Sequence, residues 1–126
     1  MRLLVDGMNV IGSRPDGWWR DRPGAVRDLV VVLGGLARET GDGITVVFDG
    51  RRPDEMPEAP GVEVVFASGR GRGAADDEIA RRVAEDREPE SLVVVTSDGE
   101  LADRVRTRGA EVQGAGGFRR RLDDVS

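Results

Sequence analysis

The sequence lacks three residue types on which many enzyme active sites depend. Its 126 residues contain no cysteine and no histidine, and all 19 basic residues are arginine, so lysine is absent too. The first two absences exclude disulfides, zinc–thiolate sites, iron–sulfur clusters, Ser-His-Asp triads and histidine metal ligands. Without lysine there is neither a P-loop contact to phosphate nor a Schiff base. Hydrolysis by this chain therefore requires water activated by a metal ion, held by oxygen ligands.

The length and hydropathy of the chain predict one domain over residues 1–126. No apolar run approaches the roughly 18 residues of a membrane span, so we expect a cytoplasmic protein without a membrane partner. The net charge of −5 is compatible with nucleic-acid binding, because active-site carboxylates count as negative until a metal binds. The sequence leaves the oligomeric state open, with a homodimer among the alternatives.

Apolar runs of strand length alternate with helical patterns along the chain. Strands are predicted at residues 2–5, 44–48, 62–66, 92–96 and 110–113. Helices are predicted at about 23–40 and 75–87, from 97 or 98 to 109, and around Phe118 and Leu122. The strands are continuous Val, Ile and Leu runs, which is typical of a parallel sheet covered on both faces. The predicted fold is a three-layer α/β/α domain with a mainly parallel sheet of about five strands.

Aspartates stand at the ends of the predicted strands. Asp6, Asp49 and Asp98 each follow a strand, and Asp76 opens a helix on the same stripe as Ile79. If strand one is central, strands one and four flank the point where strand order reverses, which is where ligands bind in such sheets. Carboxylates gathered there repel one another and are costly to desolvate. A bound Mg²⁺ or Mn²⁺ would explain why they are gathered.

Each of these motifs also has a purely structural interpretation. Asp6–Asn9 and Asp49–Gly50 have the composition of turns. Ser97 and Glu100 have the spacing of a capping box, and Asp98 would be stabilised at a helix N-terminus without any metal. Asp77, about 100° around the helix from Asp76, is expected to face solvent.

The functional interpretation gives each polar residue near the strand ends a role. Asp6, Asp76 and Asp98 are the candidate catalytic carboxylates, with Asp6 as a metal ligand. Asn9 would orient Asp6 or an oxygen of the scissile phosphate, and Asp49 would be an outer ligand or a supporting group at the border of the site. The candidate supporting hydroxyls are Thr96 and Ser97.

Arginines and two tryptophans lie in the connections that follow the predicted strands. An acidic centre with a basic rim suits a phosphodiester substrate. The Arg/Gly segment 69–73 would hold a nucleic-acid backbone or form a solvated loop, and we expect one tryptophan to pack and the other to be accessible to bases. The candidate RNA-binding residues are Arg14, Arg20, Arg51, Arg52, Arg70, Arg72, Trp18 and Trp19.

Four motifs, taken in order, resemble those of NYN domains, most closely the YacP-like branch of the PIN-like nuclease group. They are VDGMNVI at 5–11, VFDG at 47–50, ADDEI at 75–79 and VVTSD at 94–98. The resemblance implies a PIN-like fold and an endonuclease that cleaves RNA with Mg²⁺ or Mn²⁺. It gives metal-ligand roles to Asp6, Asp76 and Asp98, and supporting polar roles to Asn9 and to Thr96 or Ser97.

Single-stranded RNA is the expected substrate, because this chemistry needs an accessible backbone and the tryptophans need unstacked bases. Two alternatives stay open at the level of sequence. One is a non-catalytic RNA-binding module that keeps the fold and the carboxylates. The other is a small-molecule phosphohydrolase, which should lack the wide arginine rim.

Overall fold

The computed structural model describes residues 1–67 and 73–125, which form a sheet of five parallel strands between two layers of helices. The strands are β1 (Arg2–Asp6), β2 (Gly43–Asp49), β3 (Val62–Ala67), β4 (Leu92–Val95) and β5 (Glu111–Gln113). Their order is β3-β2-β1-β4-β5. Strand order therefore reverses at β1, which lies between β2 and β4. The predicted parallel α/β fold and the central position of the first strand are confirmed.

The helices are distributed over the two faces of the sheet. They are α1 (Gly7–Gly12), α2 (Arg22–Thr40), α3 (Ala74–Glu85), α4 (Gly99–Thr107) and α5 (Ala115–Val125), with short 3-10 helices at Trp18–Arg20 and Pro89–Ser91. One buried cluster joins the sheet to α1, α2 and α5, and includes Val10, Leu33 and Phe118. A second cluster joins the opposite face to α3 and α4 through Ile79 and Leu101. This arrangement confirms the three layers.

The long helix α2 follows its expected start and stop signals. The side chain of Asp21 accepts a hydrogen bond from the Gly24 N–H at 3.1 Å and caps the helix. Pro23 occupies the first turn, where its missing N–H is not needed. Gly41 ends the helix with a φ of 73°, a conformation that favours glycine. Within the described ranges, no helix is both long and apolar enough to cross a membrane.

No helix was predicted between the first strand and residue 23, and this was wrong for residues 7–12. These residues form the short helix α1, which begins directly at the end of the strand. Gly7 permits this because a Cβ at its position would clash with the ring of Phe48. The chain thus turns tightly over β2, and α1 lies beside the end of β1.

Candidate metal and nucleic-acid site

The carboxyl ends of β1, β2 and β4 bring the predicted aspartates to one edge of the sheet. Asp6 is the last residue of β1 and lies opposite Val47 of β2, two residues before Asp49. On the other side of β1, Val5 lies opposite Val95, the last residue of β4. The residues that follow β4 therefore begin next to Asp6. The parallel register places the three strand ends as the sequence predicted.

Thr96 connects two of these aspartates through one hydroxyl group. Asp6 and Thr96 are both buried, each with 2% of its surface exposed. Thr96 Oγ1 donates a hydrogen bond to Asp6 Oδ2 at 3.0 Å and accepts one from the Asp98 backbone N–H at 3.1 Å. Thr96 was expected only as a supporting group, and this bridge gives it a defined place between the two carboxylate-bearing residues.

Asn9 and Ser97 fix the connection between β4 and α4. Asn9 Oδ1 accepts the Ser97 backbone N–H at 2.8 Å, and Ser97 Oγ accepts the Ala115 backbone N–H at 2.9 Å. Helix α1, the β4–α4 connection and the start of α5 are therefore held together by these two side chains. The interpretation of Ser97 as the helix cap was wrong. Asp98 is the N-cap, and its Oδ1 accepts the Leu101 N–H at 3.0 Å.

Asp49 positions the helix that carries Asp76. Its Oδ1 accepts the Ala75 backbone N–H at 2.9 Å, which joins the end of β2 to the first turn of α3. Asp76 is half-buried beside this contact. Asp77 is exposed over 78% of its side chain and forms an ion pair with Arg104 Nη1 at 3.2 Å. The expected difference in orientation between Asp76 and Asp77 is confirmed.

The pKa values of Asp6 and Asp76 show that the carboxylates interact. Burial raises the pKa of Asp6 to about 6, the hydrogen bond from Thr96 lowers it, and the charges of Asp76 and Asp49 raise it. Burial also raises the pKa of Asp76, as do Asp98 and Asp49, while Arg104 lowers it. In the part of the chain that the structure describes, none of these four aspartates forms an ion pair with an arginine.

The chemistry of this donor set suits a hard divalent cation, because Mg²⁺ and Mn²⁺ prefer carboxylate and carbonyl oxygens. As they stand, the described side chains form no group of three or more His, Cys, Asp or Glu residues that could hold a metal ion. Asp98 is turned to its helix cap and Asp49 to Ala75. The assignment of Asp6, Asp76 and Asp98 as metal ligands stays a prediction.

Comparison with known proteins identifies the family. Residues 3–126 match the YacP-like NYN domain. The chain belongs to this family. No curated protein matches it. Family membership confirms the resemblance found in the four motifs.

Two crystal structures of Rae1 (YacP) from Bacillus subtilis are similar to this chain. One has a TM-score of 0.81 and 25% sequence identity, and the match covers 99% of this chain and 75% of that chain. The other, a tryptophan-to-leucine mutant, has a TM-score of 0.80 and 25% identity, with coverage of 98% and 76%. The α/β fold described above is therefore the fold of experimentally determined members of the family.

The two tryptophans have different environments, as the sequence predicted. Trp18 is half-buried and packs against the cluster beneath α1, α2 and α5. Trp19 is 56% exposed. The two rings meet edge to face, with their centroids 6.0 Å apart. One ring anchors the connection between α1 and α2, and the other is accessible to a ligand.

The candidate RNA-binding arginines also differ from one another. Arg14 forms an ion pair with Asp123 of α5, whereas Arg20 and Arg51 are exposed. The guanidinium carbon of Arg52 lies 5.7 Å from the centre of the Phe66 ring. Arg70 and Arg72 lie outside the described residues. The RNA-binding role of this set stays a prediction.

The structure adds residues that the sequence did not single out. A cleft of about 230 Å³ beside Asp76 is lined also by Glu100 and Arg104 from α4. Arg104 follows Asp98 by more than one helical turn, and its spacing carries no motif. Only the packing of α3 against α4 brings it to Asp77, so no sequence signal could have identified it.

Proposed function

We propose that this chain is a metal-dependent ribonuclease that cleaves single-stranded RNA internally. Its membership of the YacP-like NYN family supports a nuclease-like function. The observation that carries the proposal is the mutual repulsion of Asp6, Asp49, Asp76 and Asp98, none of which forms an ion pair with an arginine among the described residues. A protein that gathers carboxylates in this way gains most from a bound cation.

Asp6, Asp76 and Asp98 would hold Mg²⁺ or Mn²⁺. Such an ion, when bound, lowers the pKa of a water molecule and neutralises charge that develops on the phosphate and the leaving oxygen. No protein base is needed, in agreement with the absence of histidine and lysine. The single-stranded preference follows from the need for an accessible backbone.

The surrounding residues of this chain position the carboxylates. Thr96 holds one oxygen of Asp6, Asn9 holds the backbone of Ser97 ahead of Asp98, and Asp49 holds the start of α3 ahead of Asp76. These contacts lie at the carboxyl ends of β1, β4 and β2. They reduce the freedom of the carboxylates before any substrate binds, which is how a binding site is preorganised.

Arginines and Trp19 would bind the RNA on either side of the cleaved bond. Arg20, Arg51 and Arg52 are exposed and can approach phosphates, while Trp19 offers a ring for stacking. Arg14 would have to exchange its ion pair with Asp123 for a phosphate. Arg70 and Arg72 keep the role proposed from the sequence.

Circular single-stranded RNA gives the sharpest test of this function, because it has no ends and reports internal cleavage alone. We expect the parent protein to open the circle with Mg²⁺ or Mn²⁺ and to be inactive in EDTA. Asp6→Asn should be inactive, whereas Asp86→Asn, at the opposite end of the sheet, should retain activity. Full activity in EDTA would contradict the metal mechanism.

The same samples separate the alternatives. RNA binding without cleavage under every metal condition would favour the non-catalytic RNA-binding module. Hydrolysis of small phosphate esters without any binding of RNA would favour the phosphohydrolase.

A further inference from the structure

A second charged site lies beside the carboxylates and is lined by arginines. It is a cleft of about 410 Å³ between the start of α2 and the segment that follows β2. Its lining contains one acidic residue, Asp54, and four arginines: Arg22, Arg27, Arg51 and Arg52. A cleft of this volume falls within the usual range of small-ligand sites, which begins at about 300 Å³.

Two arginines of this cleft are oriented by backbone carbonyl oxygens. Arg22 donates a hydrogen bond to the Asp49 carbonyl oxygen, and Arg27 donates to the Asp54 carbonyl oxygen from Nε at 3.3 Å and from Nη2 at 3.0 Å. Within the described ranges, none of the four arginines of the cleft forms an ion pair with a carboxylate. Such pairs are formed elsewhere by Arg2, Arg14, Arg81, Arg82, Arg104, Arg106 and Arg119.

Unneutralised guanidinium groups that share one cleft repel one another, and an anion between them relieves this repulsion. Guanidinium groups bind phosphate oxygens in pairs of parallel hydrogen bonds, which makes arginine well suited to phosphate recognition. The charge and the donors of the cleft therefore match a phosphate group.

The arginine cleft is joined directly to the carboxylate site. Arg22 reaches the backbone oxygen of Asp49, whose carboxylate raises the pKa of both Asp6 and Asp76. Gly50 makes this approach possible. Its φ is 87°, and a Cβ at its position would lie 3.1 Å from Arg22 Nη2. One edge of Asp49 thus faces the carboxylates and the other faces the arginines.

We infer that the arginine cleft binds a phosphate group of the RNA strand whose cleaved bond lies at the carboxylates. This inference rests on the proposed ribonuclease function and adds Arg22 and Arg27 to the RNA-binding residues. The phosphate is either an internal phosphodiester or the 5′-terminal phosphate, since both offer the same oxygen acceptors. The cleft thereby fixes the position of the strand relative to the site of cleavage.

The test compares two double variants that remove the same charge. Arg27→Gln with Arg51→Gln alters the cleft, while Arg38→Gln with Arg87→Gln alters exposed arginines near the amino end of the sheet. Binding to single-stranded RNA is measured in EDTA over a range of salt concentrations. We expect the cleft variant to bind at least about tenfold more weakly at low salt and to reduce the log–log salt slope by about 1.4, or roughly 0.7 for each lost contact.

Oligomers with a 5′-phosphate and with a 5′-hydroxyl identify the source of the phosphate. If the cleft variant loses affinity equally for both oligomers, the cleft binds an internal phosphate. If it loses affinity only for the oligomer with a 5′-phosphate, the cleft binds the terminal phosphate. Either result supports the site. If the cleft variant matches the control variant, the inference is overturned. Because Arg27 also holds the Asp54 backbone, Arg51→Gln with Arg52→Gln provides a second variant in case the first does not fold.

Hydrolysis of a small activated phosphodiester with Mn²⁺ separates this inference from the function on which it rests. A parent protein that hydrolyses the small diester but binds no RNA overturns the arginine-cleft inference and leaves the metal chemistry standing. A parent that binds RNA through the cleft but hydrolyses nothing supports the cleft and contradicts the ribonuclease.

Discussion

The two ends of the sheet differ in whether their charged side chains form ion pairs. At the amino end, Arg2 donates to Asp86 Oδ2 at 2.7 Å and to Oδ1 at 2.9 Å, and Arg82 pairs with Glu63 at 3.1 Å. At the carboxyl end, none of the four aspartates Asp6, Asp49, Asp76 and Asp98 forms an ion pair with an arginine among the described residues. The pKa values record the difference, because Arg2 lowers that of Asp86 to about 2 and burial raises that of Asp6 to about 6.

The proposed site is distinguished from the other end of the sheet by its charge and not by a larger cavity. The amino end carries a cavity of about 490 Å³, which is larger than the arginine cleft or the cleft beside Asp76. Its charged lining residues Arg2, Asp86, Arg82 and Glu63 are paired with one another. Side chains that already form ion pairs gain little from binding a ligand. Carboxylates or arginines without such a pair bind ions of opposite sign.

The largest expected effect is on catalysis at the carboxyl end. Asp6→Asn and Asp98→Asn should each lower RNA cleavage by at least about 100-fold, since loss of a residue that merely supports a metal ligand already costs 10–100-fold. Both variants should fold, because asparagine keeps an acceptor for Thr96 at position 6 and is a good N-cap at position 98. Asp86→Asn is the control. Normal cleavage by folded Asp6→Asn would mean that Asp6 is structural.

Substitution of Asp76 and of Asp77, which are adjacent in the first turn of α3, should have different effects. Asp76→Ala should lose metal affinity and cleavage, whereas Asp77→Ala should lose only its ion pair with Arg104 and its effect on the helix dipole, about 0.3–1 kcal/mol of stability. Cleavage assays and denaturant unfolding measure the two effects. The reverse pattern would assign the functional role to Asp77.

The pH dependence of stability should differ between the two ends. The folded pKa of Asp6, about 6, exceeds its unfolded value of roughly 3.9, so the folded state binds more protons between these values. Asp6 therefore makes the free energy of unfolding fall as pH rises from about 4 to 6. Asp86 acts oppositely, and its contribution is lost as pH falls from about 4 to 2.

In EDTA, Asp6→Asn should remove much of the decline between pH 4 and 6 and should stabilise the protein at pH 7 by on the order of 2 kcal/mol. Denaturant unfolding at several pH values measures both quantities. An unchanged pH slope in the variant would show that Asp6 is not perturbed by its surroundings.

The smallest effect is expected at the amino end. Arg2→Gln removes the contacts of Arg2 with Asp86, Ser91 and the Glu88 carbonyl oxygen. Because the Arg2 side chain is 43% exposed, we expect a loss of about 1 kcal/mol or less. Metal binding and RNA cleavage should be unchanged. A loss of cleavage without unfolding would show that the two ends are coupled.

The strand ends were predictable from the sequence, because continuous apolar runs followed by aspartate fix both the parallel sheet and the edge at which Asp6, Asp49 and Asp98 meet. The contacts around them were not predictable. The bridge from Thr96 and the contact between Asn9 and Ser97 join residues separated by 88 to 90 positions, which no local pattern encodes. Helix α1 was missed because Asp, Gly and Asn favour turns, and only its packing on Phe48 overrides that preference.

The arginine cleft shows the same limit. Arg22, Arg51 and Arg52 were visible in the sequence as arginines that follow strands, but Arg27 lies within α2 and reaches the cleft only through the packing of that helix. Periodicity predicted the helix and its buried stripe. It gave no sign that Arg27 lies next to the segment that follows β2.

The most direct test is a calorimetric titration of the metal-free protein with Mn²⁺ near pH 7.5. It measures whether Asp6, Asp76 and Asp98 at the carboxyl end of the sheet hold a cation. We predict that the parent and Asp86→Asn bind Mn²⁺ with similar affinity and that Asp6→Asn binds it at least about 100-fold more weakly. A parent protein that binds no Mn²⁺, or an Asp6→Asn variant that binds it as tightly as the parent, would contradict the account.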